Sequence, residues 1–506
     1  MQYYLMVYLQ QTFNMPVLNP IMFVGTGSDV GKSVIATAFC RIFRNDGYRP
    51  APFKAQNMAL NSFVTPDGGE IGRAQAVQAE AARILCETDM NPLLLKPQSD
   101  ASSQVILNGH PIGAQTAADY FHNMGRKHFF NAVCNAFSRL QRKYNPIVLE
   151  GAGSISEINL RSFDIVNLPM ARFAQAKVFL VADIDRGGVF ASVYGSLLLL
   201  SDEERNMIKG IIINKFRGDI NLFTQGVKMM ELLCKIPVVG VVPYFNNIFI
   251  DEEDSVALSR KATTHNQQLL NIAVVLLPHI SNFTDFNPLE RHPLVRLFYS
   301  NNPDELLNAD LIIIPGSKTT IDDLTELRRN GAAKAILLAH DKGIPIIGIC
   351  GGYQMMGREI IDTLGVESNV THMPGLNLLP IITKLGKKKT TRQVSFKFND
   401  ITICGYEIHN GQTSVIDNNA KPLFFFPDGR TDGCLTDNHC MGTYVHGLFD
   451  NASFVDYLFH KIKNASVQTN ALNTQEFKEK QYDKLAELVR NNVNMKLIYQ
   501  ILTDNH

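Results

Sequence analysis

The sequence predicts an α/β protein with two open, mostly parallel sheets and a helical C-terminal tail. Two observations predict it. Short β-type runs of almost continuous hydrophobicity alternate with longer helical patterns, as in parallel sheets covered on both faces. Most of these runs also end in glycine or polar residues, at the strand ends where open α/β sheets bind ligands. The chain has 506 residues, enough for two large domains or about three ordinary ones.

In order, the first series of strand-like runs is Ile21–Val24, Pro146–Leu149, Val178–Ala182, Ile211–Ile213 and Val238–Val242. A polar stretch from Asp251 to Gln268 interrupts the pattern and reads as a linker. A second series follows with Ile272–Leu277, Leu311–Ile314 and Ile344–Ile349. After Lys384 the runs shorten and alternate with turns, such as Gln393–Phe398 and Ile401–Cys404. Glu476–Leu502 is amphipathic and helical. The expected boundaries are residues 1–16 for an N-terminal extension, 17–255 for the first domain and 256–270 for the linker. The second domain takes 271–465 and the tail 466–506. Nothing before Asp29 is charged, so a secretory leader with a basic start is not expected, and Met15 is a plausible start.

Lysine plus arginine number 48 and aspartate plus glutamate 48, so no net charge favours nucleic acid or an anionic membrane. No apolar run reaches the ~18 residues of a membrane span. Eight scattered cysteines suit a reducing compartment, and a cytoplasmic location is expected.

Gly25-Thr26-Gly27-Ser28-Asp29-Val30-Gly31-Lys32-Ser33 follows the first strand and opens a helix. Its glycines let backbone N–H groups face phosphate oxygens, and the helix N-terminus adds its dipole. Lys32 reaches toward the β/γ-phosphates and the Ser33 hydroxyl toward Mg²⁺. Thr26 stands where the standard motif has glycine, which resembles the longer loop of dethiobiotin-synthetase-like ATPases. Glu150 closes the next strand and is expected to help hold Mg²⁺ with Ser33. Asp183 and Asp185 end another strand before Arg186, and Asn214 ends a fourth, where it is expected to read a base edge.

Gly348-Ile349-Cys350-Gly351-Gly352 follows an apolar strand and precedes a helical run. This is the nucleophile-elbow pattern, a sharp turn that exposes its central side chain. The helix N-terminus favours thiolate. The Gly351 N–H is aimed at a developing oxyanion, and Pro315-Gly316-Ser317 offers a second donor in Gly316. A thiol needs a base. His446, in a glycine-rich segment, is the first candidate and His409 the second.

Longer strings add to these motifs. They are Phe53 to Ser62, Asp67 to Gln75, Val181 to Gly188 and Asn214 to Asp219. With them the chain, over roughly Ile21 to Leu458, closely resembles the cobyric acid synthase family, the glutamine-dependent amidases of cobalamin assembly. The resemblance implies a dethiobiotin-synthetase-like ATPase domain followed by a class I glutamine amidotransferase domain. It implies Cys350 as nucleophile, His446 as its base and Gln354 in the glutamine site. It also implies ATP with Mg²⁺, no tightly bound prosthetic group, and a corrinoid a,c-diamide substrate amidated at four carboxylates (b, d, e and g). General class I amidotransferases carry His-x-Glu, whereas Leu448 stands at the third position here. That leaves the group orienting His446 open between Glu407 and Asp450. Lys54, Asn57, Asp67, Glu70, Asp183 and Arg186 are the expected contacts to the substrate carboxylate or acyl phosphate. The alternatives are the sister enzyme that amidates the a and c carboxylates, and a partitioning-type ATPase switch. The sequence leaves homo-oligomerisation open.

Overall fold

The computed structural model describes residues 16–99, 102–116, 124–251, 253, 269–398, 401–417, 420–436, 439–463 and 474–504. The expected N-terminal extension, most of the linker and the start of the expected tail lie outside the described residues.

The first sheet has six strands, all parallel. Across it they run Val238–Pro243, Ile208–Phe216, Lys177–Asp183, Ile21–Gly25, Ile147–Glu150 and Ala51–Phe53. Ile21–Gly25 and Lys177–Asp183 are buried at every residue, which is why Ile21–Val24 and Val178–Ala182 are uninterrupted apolar runs rather than alternating ones. The edge strand Ala51–Phe53 is too short to stand out in the sequence. The apolar run from Val189 onward forms a helix, Val189–Leu198. Among the described residues no helix is long and apolar enough to cross a membrane.

The second sheet runs Val295–Ser300, Leu270–Val275, Leu311–Ile314, Ile346–Ile349, Cys440–Thr443 and Cys434–Leu435, parallel except for the last pair. The short runs expected after Lys384 are in fact one long hairpin. Ile381–Phe398 pairs antiparallel with Ile401–Val415, with a register shift between Leu385 and Thr390. The sequence concealed it because a polar run from Gly386 to Gln393, with exposed lysines, breaks its hydrophobic alternation.

The stretch read as a linker begins differently from expectation. Asp251 is not a solvated loop residue. It accepts from Arg73 at 2.8 Å, Arg291 at 3.0 Å and Asn287 at 2.8 Å, and Lys478 lies 3.5 Å away.

The C-terminal helices Thr474–Asn492 and Met495–Thr503 return to the first sheet's side of the molecule. Tyr482, Leu485, Ala486, Val489, Ile498 and Leu502 are buried in one cluster with Phe39 and Phe43 of the helix Lys32–Asn45. Arg41 of that helix is fully buried and pairs with Glu479 at 2.6 Å and Asp483 at 3.2 Å. Backbone bonds fasten both ends, from the Asn19 N–H to Leu502 O at 2.9 Å and from the Asn494 N–H to Val239 O at 2.7 Å. These helices therefore complete the core behind the phosphate loop's own helix. Leu485→Ala should cost about 2–5 kcal/mol, the usual penalty for emptying a closed leucine site. Chemical denaturation would show it as a lower midpoint, and an unchanged midpoint would mean that the helix pair is not part of the folded core.

Candidate functional site

The phosphate loop turns through left-handed backbone at Asp29 (φ 57°) and Gly31 (φ 95°). A Cβ on Gly31 would lie 2.1 Å from Asn214 Nδ2, so both conformation and packing require glycine there. Asn214 donates that amide to Val30 O at 2.9 Å. The side chain expected to read a base edge is thus spent on bracing the loop. Thr26 anchors the loop's start, donating its N–H to Val181 O at 3.1 Å. Lys32 Nζ donates to the carbonyls of Gly27 and Gly153, both at 2.9 Å. Burial pulls its pKa down to about 8 against the opposing pull of Glu150.

Ser33 Oγ donates to Glu150 Oε1 at 2.7 Å. The same carboxylate accepts from Lys54 Nζ at 2.9 Å and Gln78 Nε2 at 2.6 Å. Burial alone would raise its pKa, but these donors, Lys54 foremost, hold it below the ordinary carboxylate value. Asp183 and Arg186 stand on the rim of the loop. Asp183 accepts from Lys215 Nζ at 2.9 Å, and Arg186 lies 3.2 Å from Asp29.

Three expected substrate contacts are engaged elsewhere. Asn57 donates to Gln75 at 3.1 Å and to Glu253 at 2.5 Å. Asp67 accepts from Thr65 Oγ1 at 2.5 Å inside the turn of the hairpin formed by Ser62–Val64 and Glu70–Gly72. Glu70 is fully buried between Lys96 Nζ at 2.9 Å and Lys389 Nζ at 2.6 Å. Those two lysines overcome its burial and keep it ionised. In this structure both of its oxygens are held by buried ammonium groups.

The second centre lies where Ile346–Ile349 meets the helix Gly351–Met355. Cys350 occupies the turn at φ 52°, ψ −106°, a backbone that L-residues seldom adopt. The turn is seated against Pro315–Ser317, so closely that a Cβ on Gly352 would lie 1.9 Å from Ile314 O. A Cβ on Gly351 would lie 2.7 Å from the Ser317 nitrogen, and one on Gly316 3.4 Å from His446 Cε1. The elbow, the Gly316 strand and His446 therefore meet in one place. Gln354 follows within the same helix, accepting from Thr320 Oγ1 at 3.1 Å and donating to Tyr444 OH at 3.2 Å.

His446 is positioned by Asp285, a residue the sequence did not single out. The imidazole Nδ1 and Asp285 Oδ2 are 2.6 Å apart, and the Gly447 N–H donates to Asp285 Oδ1 at 3.1 Å. A carboxylate at Nδ1 fixes the proton there and leaves Nε2 for the nucleophile. Burial alone would lower the histidine pKa. Asp285 outweighs it, the Cys350 sulfur adds to the effect, and the pKa is pushed up to about 10. Neither expected partner takes this role. Glu407 is bound to Arg392 and lies 3.3 Å from Arg430, and the Asp450 carboxylate sits beside Gly447 rather than on the ring. Asp285 is 161 positions from His446 and carries no motif; an acid enclosed by Phe283 and Phe286 was its only signal. His409 stacks on Tyr444 at 3.7 Å and its Nδ1 meets Gly411 O at 2.7 Å, which makes it a packing residue.

The two centres are joined directly. The Ser62–Gly72 hairpin reaches the long hairpin, where Thr391 Oγ1 donates to Gly68 O at 2.6 Å and Gln393 Nε2 to Val64 O at 2.9 Å. Asn61 and Asn282 exchange contacts, accepting from the Phe283 and Ser62 N–H groups at 3.3 and 3.0 Å. Tyr406 stacks on His446 at 5.2 Å and meets Phe63 edge-on at 5.1 Å.

Two families of known proteins match the chain. The CobQ/CobB/MinD/ParA nucleotide binding domain family matches residues 21–256, and the CobB/CobQ-like glutamine amidotransferase domain family matches 271–454. Over 491 residues the chain is 62% identical to a cobyric acid synthase of Bacteroides fragilis, covering 96% of this chain and 99% of that one. The chain belongs to the cobyric acid synthase family. Another member, from Phocaeicola vulgatus, is 60% identical over the same shares of both chains, and one from Syntrophobacter fumaroxidans is 45% identical over 96% and 98%. The family's ATP-binding and amidotransferase halves thus coincide with the phosphate loop and the thiol elbow described above.

Asp285→Asn keeps the shape and removes the charge. Glutamine hydrolysis should fall by about 10²–10⁴-fold, as when a histidine's carboxylate is neutralised in other triads. The raised His446 pKa stabilises the fold fully below about pH 6.5, and this contribution is lost as pH rises through about 10. The stability deficit of the variant should therefore be largest near pH 6 and shrink toward pH 10 in denaturant melts. A deficit that does not vary with pH would separate Asp285 from the histidine's charge.

Proposed function

We propose that this protein amidates four peripheral carboxylates of a corrinoid a,c-diamide, using ATP to activate each acid and glutamine to supply the nitrogen. The observation that carries the reading is the Cys350–His446–Asp285 constellation in the same molecule as a phosphate loop whose Ser33, with Lys54, meets Glu150.

In the glutaminase half, Cys350 attacks the glutamine carboxamide. Its proton leaves through His446, and the N–H groups of Gly351 and the Gly316 strand receive the oxyanion. His446 returns that proton to the departing nitrogen, ammonia leaves, and water hydrolyses the glutamyl thioester that remains. In the synthetase half, a carboxylate is a poor acyl donor because its oxygen leaves badly, and phosphorylation by ATP provides a better leaving group. Lys32 is placed to release its loop carbonyls and meet the phosphates, with Lys54, Asp183 and Arg186 around the reacting end. Asn214 holds the loop in shape. Ser33 and Glu150 are adjacent hard oxygen donors, a set that suits Mg²⁺, which when bound offsets phosphate charge. Ammonium is not nucleophilic, so ammonia needs a dry path; the packed interface through Phe63 and Tyr406 supports transfer inside the molecule.

Product masses after incubation with the a,c-diamide and ATP test the reading. Lys32→Ala should abolish amidation and leave glutamine hydrolysis measurable. Cys350→Ala should lose amidation from glutamine yet regain it with concentrated ammonium salt, more so at higher pH where more ammonia is free. Normal glutamine use by Cys350→Ala would make the elbow structural. Failure of ammonium to rescue a folded variant would give the thiol a role in the synthetase half.

A further inference from the structure

Lys318 and Glu367 lie beside the elbow and take no part in the chemistry above. Lys318 directly follows Gly316-Ser317, the segment against which Gly351 packs. It is 9% exposed, yet its ammonium has no hydrogen-bond or ion-pair partner among the described residues. Buried lysines without partners are costly and therefore uncommon. Glu367 uses one carboxylate oxygen, Oε2, to accept the Thr320 N–H at 2.8 Å. Thr320 Oγ1 in turn donates to Gln354 Oε1 at 3.1 Å, so this carboxylate is one residue removed from the helix that carries the nucleophile. The Thr320 side chain also hydrogen-bonds this carboxylate, and Lys318 is the charge that most favours its ionised form. The neighbouring Thr319 hydroxyl is buried and unpartnered.

We infer that Lys318 and Glu367 form a clamp for the zwitterionic end of glutamine, with Lys318 taking the α-carboxylate and Glu367 the α-ammonium. The inference rests on the glutaminase reading of Cys350. The carboxamide under attack and the α-carbon are separated by a short aliphatic chain, so the α-groups must be received close to the elbow. Two groups of opposite charge that feel each other's field there but form no direct ion pair match a ligand carrying both charges. Their electrostatics agree. Burial, reinforced by Lys389 and Lys96, pulls the Lys318 pKa down, and burial pushes that of Glu367 up. Each offsets the other's burial only in part, and an incoming counter-charge would complete that compensation. Glu70, the remaining acid near Lys318, is already held by Lys96 and Lys389. The clamp would select free glutamine over glutamine embedded in a peptide, which lacks both α-charges.

The test uses three amides: glutamine, its α-amide (no carboxylate) and glutaramate (no amino group). Ammonia release is followed in the full-length protein, and amidation from ammonium salt verifies that each variant is folded. The parent should prefer glutamine over both analogues. Lys318→Met should raise KM for glutamine roughly 10- to 100-fold with kcat little changed, the loss expected for a charged hydrogen bond. It should also lose discrimination against the α-amide while still rejecting glutaramate. Glu367→Gln should show the reverse pattern, and Lys318→Arg should restore most of the affinity. An unchanged KM, or an equal loss on all three amides, overturns the clamp. A parent protein that releases no ammonia from glutamine overturns the glutaminase reading first, and the clamp with it.

Discussion

A single buried carboxylate, Asp251, holds the parts of this molecule together. It stands at the end of the nucleotide-binding half and is met by Arg73 from that half, Arg291 from the amidotransferase half and Lys478 from the C-terminal helix. Burial alone would protonate it. Lys478, Arg73 and Arg291 overwhelm that and hold it well below the usual carboxylate range. Glu80 extends the node, bonded to Lys478 at 3.3 Å and to Tyr482 at 2.8 Å. In such a cluster each charge is tolerated only because the others are present, and removing one partner leaves the rest uncompensated. The relative placement of three chain segments, and with it the distance between two active centres, is therefore fixed by mutual charge compensation as well as by apolar contact.

The same principle operates closer to the chemistry. Glu70 joins Lys96 of its own half to Lys389 of the other, and Lys96 also donates to Ser62 at 2.9 Å. From Glu70 the chain runs through Gly72, whose N–H is held by Asn91, and Asn91 donates to the Lys54 carbonyl. Lys54 ends on Glu150. On the other side Asn282 holds the Ser62 N–H three residues before Asp285, which holds His446. The hairpin that docks the halves is thus built into the supports of both centres. A displacement at either end would be felt as a change in hydrogen-bond geometry at the other.

Much of this was legible in the sequence because the signals were local. The phosphate loop, the elbow glycines, Glu150 and His446 lie in short motifs whose residue types are dictated by backbone geometry or close packing, as Gly31 and Gly352 illustrate. What escaped was non-local. Asp285 serves a histidine far along the chain, and the tail contributes core side chains to the first sheet's helix. The long hairpin shows no clean alternation because its solvent side and its interface side are both polar. Asn57, Asp67 and Glu70 were expected at the substrate because polar residues clustered past a nucleotide loop resemble a binding site. Their partners in the structure are a turn hydroxyl, Gln75 with Glu253, and two buried lysines, most of them distant in sequence.

The chemistry explains why such a junction must be charged, buried and saturated. On the proposed mechanism ammonia has to cross between centres without meeting water, because water would protonate it and end its usefulness as a nucleophile. An apolar seam alone would exclude water but would specify alignment poorly. Phe63, Val64, Tyr406 and Ile408 form a small hydrophobic cluster at the seam. Around it, paired groups such as Glu70 with its two lysines and Asn61 with Asn282 fix the register. Packing keeps the interface dry, and satisfied polar pairs make one alignment preferable to its neighbours. That arrangement allows a thiol reaction and a phosphoryl-transfer reaction, which require different electrostatic surroundings, to share one nitrogen atom within a single chain.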